Sequence, residues 1–212
     1  VLTHCPAGLA LLAKNGQANW CLETVPQPGL NGRRGYQPRG KVLGGSSSIN
    51  AMVYARGHAS DYDAWAAATG EPEWGWEHAL PDFVRHEDNA LHDAGALHGR
   101  GGEWRVERQR LRWDVLDAFA AAAVEAGIPA TDDFNGGSNE GVGYFEVNQR
   151  AGWRWNTRKA FLNPARGRAN HHGNQQHQHH KKHTMIQMSM MLMMKLMRIL
   201  RQQQVVGVVP MQ

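Results

Sequence analysis

The sequence predicts a mixed fold, α/β or α+β, for this chain of 212 residues. Segment 114–127 has the apolar spacing of an amphipathic helix, and segment 102–109 alternates apolar and polar residues as a half-buried strand does. A hydrophobic content of 42% with eight Trp is enough for a core. Helices and strands are therefore mixed along the chain, which is typical of these two classes.

Three segments are predicted to be helical. Segment 60–69 is a short helix that Ser60 caps and Gly70 ends. Segment 74–89 holds a helical turn, a break before Pro81 and a second helix, because proline disrupts a helix interior. In the third helix, Asp114 is the predicted cap, Gly127 with Pro129 ends the helix, and one apolar stripe contains Leu116, Phe119, Ala120, Ala123 and Val124.

Two segments are predicted strands and one is predicted to be irregular. Within 102–109, Trp104 and Val106 should share the buried face of a strand. Segment 141–149 is a second strand candidate. Segment 19–40 contains three prolines and four glycines, so we expect an extended course with turns.

Charge and cysteine content exclude several classes of function. The formal net charge is +4, but residues 1–167 carry 17 Lys and Arg against all 19 Asp and Glu. The body is thus slightly acidic and does not predict a nucleic-acid surface. Cys5 and Cys21 are the only cysteines, so a disulfide framework or a Cys-rich zinc site is excluded and a reducing compartment is expected. The first residues do not have the pattern of a signal peptide, and a start at Val1 suggests that an earlier segment is missing.

The segment GKVLGGSSSIN, residues 40–50, is the strongest candidate for a binding site. Gly44 and Gly45 have no side chains, so their backbone can lie against a planar ring or a diphosphate. The serines after them add hydroxyl and N–H groups at a predicted helix start, and the amide of Asn50 can both donate and accept. This composition suits a large cofactor with a flat heteroaromatic part and anionic parts. An ordinary Gly/Ser turn is the alternative.

The segment from Gly40 to Asn50, with Tyr54, Gly57 and Asp63 at matching intervals, resembles the first signature of the glucose-methanol-choline (GMC) flavin oxidoreductases. The resemblance continues upstream in NW…TVPQPGLNGRRGYQPRG and downstream in DYDAW, ALPDF, DDFNG…EGVGYFEV and GWRWNTRKAFLNPAR, so it covers roughly residues 5–170. It is closest to choline dehydrogenase-like and alcohol dehydrogenase-like members. It implies part of an FAD-binding domain and part of an antiparallel-sheet substrate domain.

The resemblance also implies which residues would contact FAD. Val42 would line the approach, Gly44, Gly45 and Ser46 would meet the phosphate and ribityl portion, and the isoalloxazine would lie beside Asn50, Ala51, Met52 and Val53. Backbone N–H groups there would stabilise the negative charge of the reduced flavin. Ile49 stands where some members attach FAD through a histidine, so noncovalent FAD is expected.

The activity implied by the resemblance is FAD-dependent oxidation of a primary alcohol, choline-like or aliphatic, to an aldehyde by hydride transfer to flavin N5. The electron acceptor would be oxygen, a quinone or another carrier. No GxGxxG motif for the pyrophosphate and no C-terminal segment with the catalytic His are present. We therefore expect an internal piece that is inactive alone, and we predict no catalytic residue in it. A family lyase with structural FAD is the alternative.

The resemblance predicts four regions. These are an FAD-domain segment over 1–90, a substrate-domain segment over 91–155, a return to the FAD domain over 156–170, and a low-complexity tail over 171–212. The tail's composition suggests a sequence error, with a true insertion as the second explanation. A metal-binding or interaction module is the alternative for the tail, through its Met run and His171, His172, His177, His179, His180 and His183.

We expect no transmembrane span, because the apolar run from Met185 is short and contains Lys195 and Arg198. The predicted location is cytoplasmic, with peripheral association with the inner membrane as an alternative.

Other polar residues are interpreted as structural. Asp132 and Asp133 could form an acid/base pair, but in TDDFNGG we expect them to cap turns. Arg154 and Asn156 mark the end of the substrate-domain segment. The scattered histidines without an evident partner are His58, His86, His92 and His98.

Overall fold

The computed structural model describes residues 3–12 and 15–169. Its α-helices are α1 Leu9–Leu12, α2 Ala59–Thr69, α3 Trp76–His86, α4 Asp114–Glu125 and α5 Asn163–Ala165. Its strands are β1 Leu22–Glu23, β2 Tyr36–Gln37, β3 Glu87–Asn89, β4 Trp104–Arg108, β5 Glu146–Val147, β6 Gln149–Arg150 and β7 Trp153–Arg154. The mixed fold class is confirmed.

The strands form three small sheets. Strands β1 and β2 pair antiparallel within the Pro- and Gly-rich segment, which has the predicted extended course with turns and also a short 3-10 helix, Pro28–Leu30. Strand β4 is the centre of a mixed sheet, because it pairs parallel with β3 and antiparallel with β5. Strands β6 and β7 form an antiparallel hairpin. Val106 of β4 is fully buried, as its alternation with polar residues predicts.

Helix α2 starts slightly earlier than expected. His58, not Ser60, is its N-cap: Ser60 N donates to His58 Nδ1 at 3.3 Å, and His58 N donates to Asp61 Oδ2 at 2.8 Å. The predicted cap is wrong because an imidazole nitrogen accepts a hydrogen bond as a hydroxyl oxygen would. Gly70 ends the helix with φ 74°, as predicted.

Helix α3 is continuous through Pro81, so the predicted break is wrong. Proline removes one backbone hydrogen bond and costs roughly 3 kcal/mol in a helix interior. Aromatic packing opposes this cost, since the Tyr62 ring lies 5.2 Å from that of Trp76 and 5.9 Å from that of Phe83. Asp63 Oδ1 also accepts a hydrogen bond from Trp76 N at 3.0 Å, which joins α2 to the start of α3.

Helix α4 has the predicted position, but the predicted cap is wrong, because Trp113 and not Asp114 is the N-cap residue, and most of the apolar stripe is not buried. Gly127 follows the helix with φ 90°, as expected for a helix end. Ala123 is buried, whereas Leu116 is 47% and Phe119 67% exposed. The strand prediction for 141–149 is partly confirmed, because only its end lies in β5 and β6.

The interior of the described residues is unusually polar. Nine apolar residues are buried beside twelve polar or charged ones, so hydrogen bonds fix the geometry as much as apolar packing does. The apolar cluster consists of Leu12, Ala18 and Ile49, with Val42 packed against it. Residues up to Pro164 form one compact unit. The four predicted regions stay a prediction.

Among the described residues, no helix combines the length and the hydropathy that crossing a bilayer requires.

Candidate functional site

The glycine-serine bend, residues 44–50, contains two glycines in left-handed conformations with different surroundings. Gly44 has φ 93°, and a Cβ there would lie 2.6 Å from Ser48 Oγ. Gly45 has φ 56°, and a Cβ there would meet no atom within 4 Å. Gly44 is therefore required by packing within the bend, whereas the bare face of Gly45 is open to a ligand.

The three serines of the bend have different roles. Ser48 is fully buried, and its Oγ donates to Leu43 O at 3.0 Å. Ser47 Oγ donates to Gly44 O at 2.6 Å. Ser46 is exposed, although its Oγ accepts a hydrogen bond from Gly40 N at 3.2 Å. Two hydroxyls thus close the bend itself, and Ser46 is the serine that a ligand could reach.

An exposed edge, residues 50–55, continues from the bend. Asn50, Ala51 and Val53 are exposed, Val53 by 45%, whereas Met52 is buried. Met52 has φ 65°, a conformation that costs a non-glycine residue roughly 1–2 kcal/mol. Asn50 Oδ1 accepts from Met52 N at 3.1 Å, and Asn148 N donates to Met52 O at 2.8 Å, which holds this backbone in place.

The predicted contact residues therefore differ in how a cofactor could reach them. Ser46, Asn50, Ala51 and Val53 are exposed, and Gly45 has an open face. The side chain of Met52 is buried, so only its backbone could contact a ligand from the open side, whereas Val42 is half-buried against the apolar cluster. The contact assignments remain predictions.

Segment 154–157, which is distant in sequence, forms hydrogen bonds with the glycine-serine bend. Arg154 Nη1 donates to Asn50 O at 2.7 Å, to Asn50 Oδ1 at 2.8 Å and to Ser47 O at 3.3 Å. Asn156 Nδ2 donates to Ser48 Oγ at 2.8 Å. Thr157 N donates to Ser47 Oγ at 3.0 Å.

Sequence reasoning interpreted Arg154 and Asn156 as structural but did not find these partners. The partners lie more than a hundred residues away, with separations of 104 to 108. No local spacing or periodicity could reveal contacts at that distance along the chain.

The underside of the bend is cationic. Burial lowers the pKa of Arg154, and burial together with the charges of Arg154 and Arg158 lowers the pKa of Lys159. Lys159 Nζ donates to Arg154 O at 2.6 Å. Three buried nitrogens, Arg154 Nε, Arg154 Nη2 and Arg158 Nε, have no hydrogen-bond partner in the described residues.

This arrangement fits the chemistry of FAD. The open face at Gly45 admits close approach of a flat or bulky group, and unsatisfied cationic donors favour a group that carries negative charge. The neighbouring edge offers small apolar side chains, Ala51 and Val53, for contact with a ring.

A groove of about 420 Å³ extends the exposed edge at Ala55. Phe134 and Phe145 line it with their ring centroids 4.5 Å apart, and Asn139 adds a polar group. Its mixed lining would suit a small organic molecule with one polar end.

A buried ionic network lies behind the exposed edge, and its first part centres on Glu87. Arg56 Nη2 pairs with Glu87 Oε2 at 3.0 Å, and both side chains are almost fully buried. His98 Nδ1 lies 3.3 Å from Glu87 Oε2, and His98 Nε2 lies 3.0 Å from Asp133 Oδ2. Asp133 Oδ1 also accepts from Asn135 N at 2.7 Å, so the turn-capping interpretation agrees with the structure.

The second part of the network joins His92 to Glu146. His92 Nε2 lies 2.8 Å from Glu146 Oε1, and the His92 and His98 rings stack at 4.6 Å. Burial raises the pKa of Glu146. The interpretation of His92 and His98 as structural agrees with these contacts, whose carboxylate partners the sequence pattern did not reveal.

A metal ion is one possible occupant of this network. Ligand atoms of His92, His98 and Asp133 lie within 4.8 Å of one another. However, His98 Nε2 already pairs with Asp133 at 3.0 Å, and Arg56 supplies a compensating positive charge. We interpret the network as structural. The six predicted tail ligands, His171 to His183, lie outside the described residues.

Sequence comparison identifies relatives of this chain. A family model described as GMC oxidoreductase matches residues 7–208. An alcohol dehydrogenase [acceptor] from Pseudomonas putida is 46% identical over 169 residues, covering 80% of this chain and 30% of the relative. Mitochondrial choline dehydrogenase from Homo sapiens is 43% identical over 167 residues, covering 79% of this chain and 28% of the relative.

Solved structures agree with these relatives. Pyridoxine 4-oxidase from Mesorbium loti superposes with a TM-score of 0.73 at 35% identity, covering 79% of this chain and 33% of that chain. An FAD-dependent oxidoreductase from Chaetomium thermophilum gives 0.65 at 29% identity, covering 75% and 31%. The chain thus spans about 30% of the length of the curated relatives it matches.

Proposed function

Because the chain belongs to the GMC oxidoreductase family, we propose that the full-length protein uses FAD to oxidise a primary alcohol, choline-like or aliphatic, to an aldehyde. Relatives named as alcohol and choline dehydrogenases support this reaction class. The open face of Gly45 beside the exposed edge 50–55 is the observation that carries the proposal, since it leaves the bend accessible to a cofactor. The relatives and neighbours described above do not support a lyase or a tail-based metal module.

In the proposed reaction, the residues of this chain bind and orient the cofactor. FAD, when bound, supplies the acceptor for the hydride that leaves the carbinol carbon of the alcohol. The bare backbone of Gly45 permits close approach, and Ala51 and Val53 present a small apolar surface to the ring. Donors of the bend and the positive charge of Arg154 stabilise negative charge at the cofactor. We assign no catalytic residue in this chain.

We also propose that FAD is held noncovalently. Ile49 occupies the position suited to a histidyl link, has no nucleophilic atom, and lies buried against Leu12 and Ala18. Acid precipitation of the holoprotein should release all the flavin into the supernatant. Flavin that stays with the precipitated protein would contradict this assignment.

Anaerobic titration with an alcohol tests the reaction. Choline or an aliphatic primary alcohol should bleach the visible flavin absorbance of the full-length protein, with one equivalent of aldehyde formed per flavin. Bound flavin that no alcohol bleaches would favour a structural cofactor instead. Oxygen consumption compared with quinone reduction would identify the electron acceptor, which the proposal leaves as oxygen, a quinone or another carrier.

The proposed location is cytoplasmic, with peripheral association with the inner membrane as the alternative. Fractionation of cells, with salt washing of the membranes, would separate the two.

A further inference from the structure

We infer that Arg154 is a positioning residue of the cofactor site: it fixes the glycine-serine bend and places positive charge beneath it. This inference rests on the proposed function, because it assigns a role toward FAD. It concerns a residue that the sequence interpretation treated only as part of the framework.

The contacts of Arg154 are concentrated on the bend. One nitrogen, Nη1, reaches the backbone oxygens of Ser47 and Asn50 and the side-chain oxygen of Asn50 within 2.7 to 3.3 Å. The same Asn50 oxygen accepts from Met52 N, so Arg154 is coupled through one residue to the strained backbone of the exposed edge. Loss of Nη1 would release the end of the bend and the start of the edge together.

The positive charge of Arg154 has no carboxylate partner among the described residues. The residue is nevertheless only 1% exposed. Its other two nitrogens, Nε and Nη2, have no partner in that part of the chain, and Lys159 and Arg158 add further positive charge nearby. Burying an unpaired charge is strongly unfavourable in general.

Hydrogen bonds to three neutral oxygens do not in themselves require a full positive charge, so the charge calls for an explanation. A cofactor that becomes negative on reduction supplies one. Positive charge held in a poorly solvated site stabilises developing negative charge strongly, and it does so without reorganisation. Arg154 should therefore strengthen FAD binding and raise the midpoint potential of the flavin.

Three variants of the full-length protein test the inference. Arg154→Met removes the contacts and the charge, and Arg154→Lys keeps the charge with poorer geometry. Arg150→Met is the matched control, because Arg150 is an exposed arginine of the same hairpin that lies over the Trp155 ring. The readouts are the dissociation constant of FAD for the apoprotein and the midpoint potential of the bound flavin.

Arg154→Met should weaken FAD binding by about tenfold or more, as expected for lost hydrogen bonds to a charged group, and should lower the potential. Arg154→Lys should restore the potential and part of the affinity. Arg150→Met should match the wild type in both.

The possible failures are distinguishable. A wild-type protein without flavin would refute the proposed function itself. Wild-type-like affinity and potential in Arg154→Met would overturn the inference while leaving the function intact. If Arg154→Met does not fold, Arg154→Lys decides: affinity equal to wild type, or failure of this variant to fold as well, would show that Arg154 serves only the fold.

Discussion

Replacing Gly45 with Ala separates the folding of the glycine-serine bend from its use as a cofactor surface. Gly45 has φ 56°, and an added methyl group would meet no protein atom within 4 Å. The folded apoprotein should therefore lose only the cost of the left-handed conformation, roughly 1–2 kcal/mol. If FAD lies against this face, the methyl group would hold the cofactor away from the backbone.

The effect on FAD binding should exceed the effect on stability. Displacing the cofactor weakens dispersion contacts and at least one hydrogen bond to the bend, and one hydrogen bond is worth about 1 kcal/mol or more. Together these losses correspond to a rise in the dissociation constant of about tenfold or more. Flavin fluorescence titration of the apoprotein measures the binding, and urea unfolding of the apoprotein measures the stability.

Gly44→Ala is the matched comparison. Its methyl group would lie 2.6 Å from Ser48 Oγ, so overpacking of roughly 1–3 kcal/mol adds to the conformational cost. The apoprotein should therefore be destabilised more by Gly44→Ala than by Gly45→Ala. Unchanged FAD affinity in Gly45→Ala would refute the reasoning, because the open face would then not be the face that meets the cofactor.

Three further predictions concern the networks around the site. Ser48→Ala should lower the free energy of unfolding by about 1–3 kcal/mol, since it strips a buried oxygen from its two partners, whereas exposed Ser138→Ala should change it little. Glu87→Gln should cost about 3–5 kcal/mol, because it leaves a buried arginine unpaired, while Asp82→Asn in an exposed pair should cost less than about 1 kcal/mol. Burial raises the pKa of Glu146 above the ordinary 4.5, so its contribution to stability is fully present below pH 4.5 and is lost as the pH rises through the folded pKa. The stability of Glu146→Gln relative to wild type should thus increase with pH above 4.5 and then level off; a pH-independent difference in urea unfolding would contradict this.

The sequence predicts those elements that depend on local patterns. Alternation locates β4, and an apolar period with its glycine stop locates α4, although the predicted Asp114 cap is not formed. The helix break predicted at Pro81 is wrong, because packing of aromatic rings compensates for the backbone hydrogen bond that proline removes. The exposure of Phe119 shows a further limit: a stripe identifies the face that should be covered, not what covers it.

The candidate site likewise has features that the sequence predicts and features that it does not. The bend is visible in the sequence because its glycines and serines are adjacent, and the family signature names its residues. The contacts of Arg154 with Asn50 of the bend and of His98 with Asp133 are not visible, since they join residues that are 104 and 35 positions apart. Side-chain accessibility is also not readable from the motif, so Met52 is named as a contact although its side chain is buried, and Val42 although its side chain is half-buried.

The exposed edge is held at both ends by buried arginines. Arg154 holds Asn50, and Arg56, fixed by Glu87, holds the far end, where Asn135 also donates to Tyr54 O at 3.2 Å. Backbone strain persists only where the surroundings fix it, and the positive φ of Met52 lies between these two anchors. The edge is therefore fixed without a cofactor, so binding at the proposed site would not have to order it. It follows that loosening either arginine should weaken FAD binding even though Arg56 lies behind the surface that we propose for the cofactor.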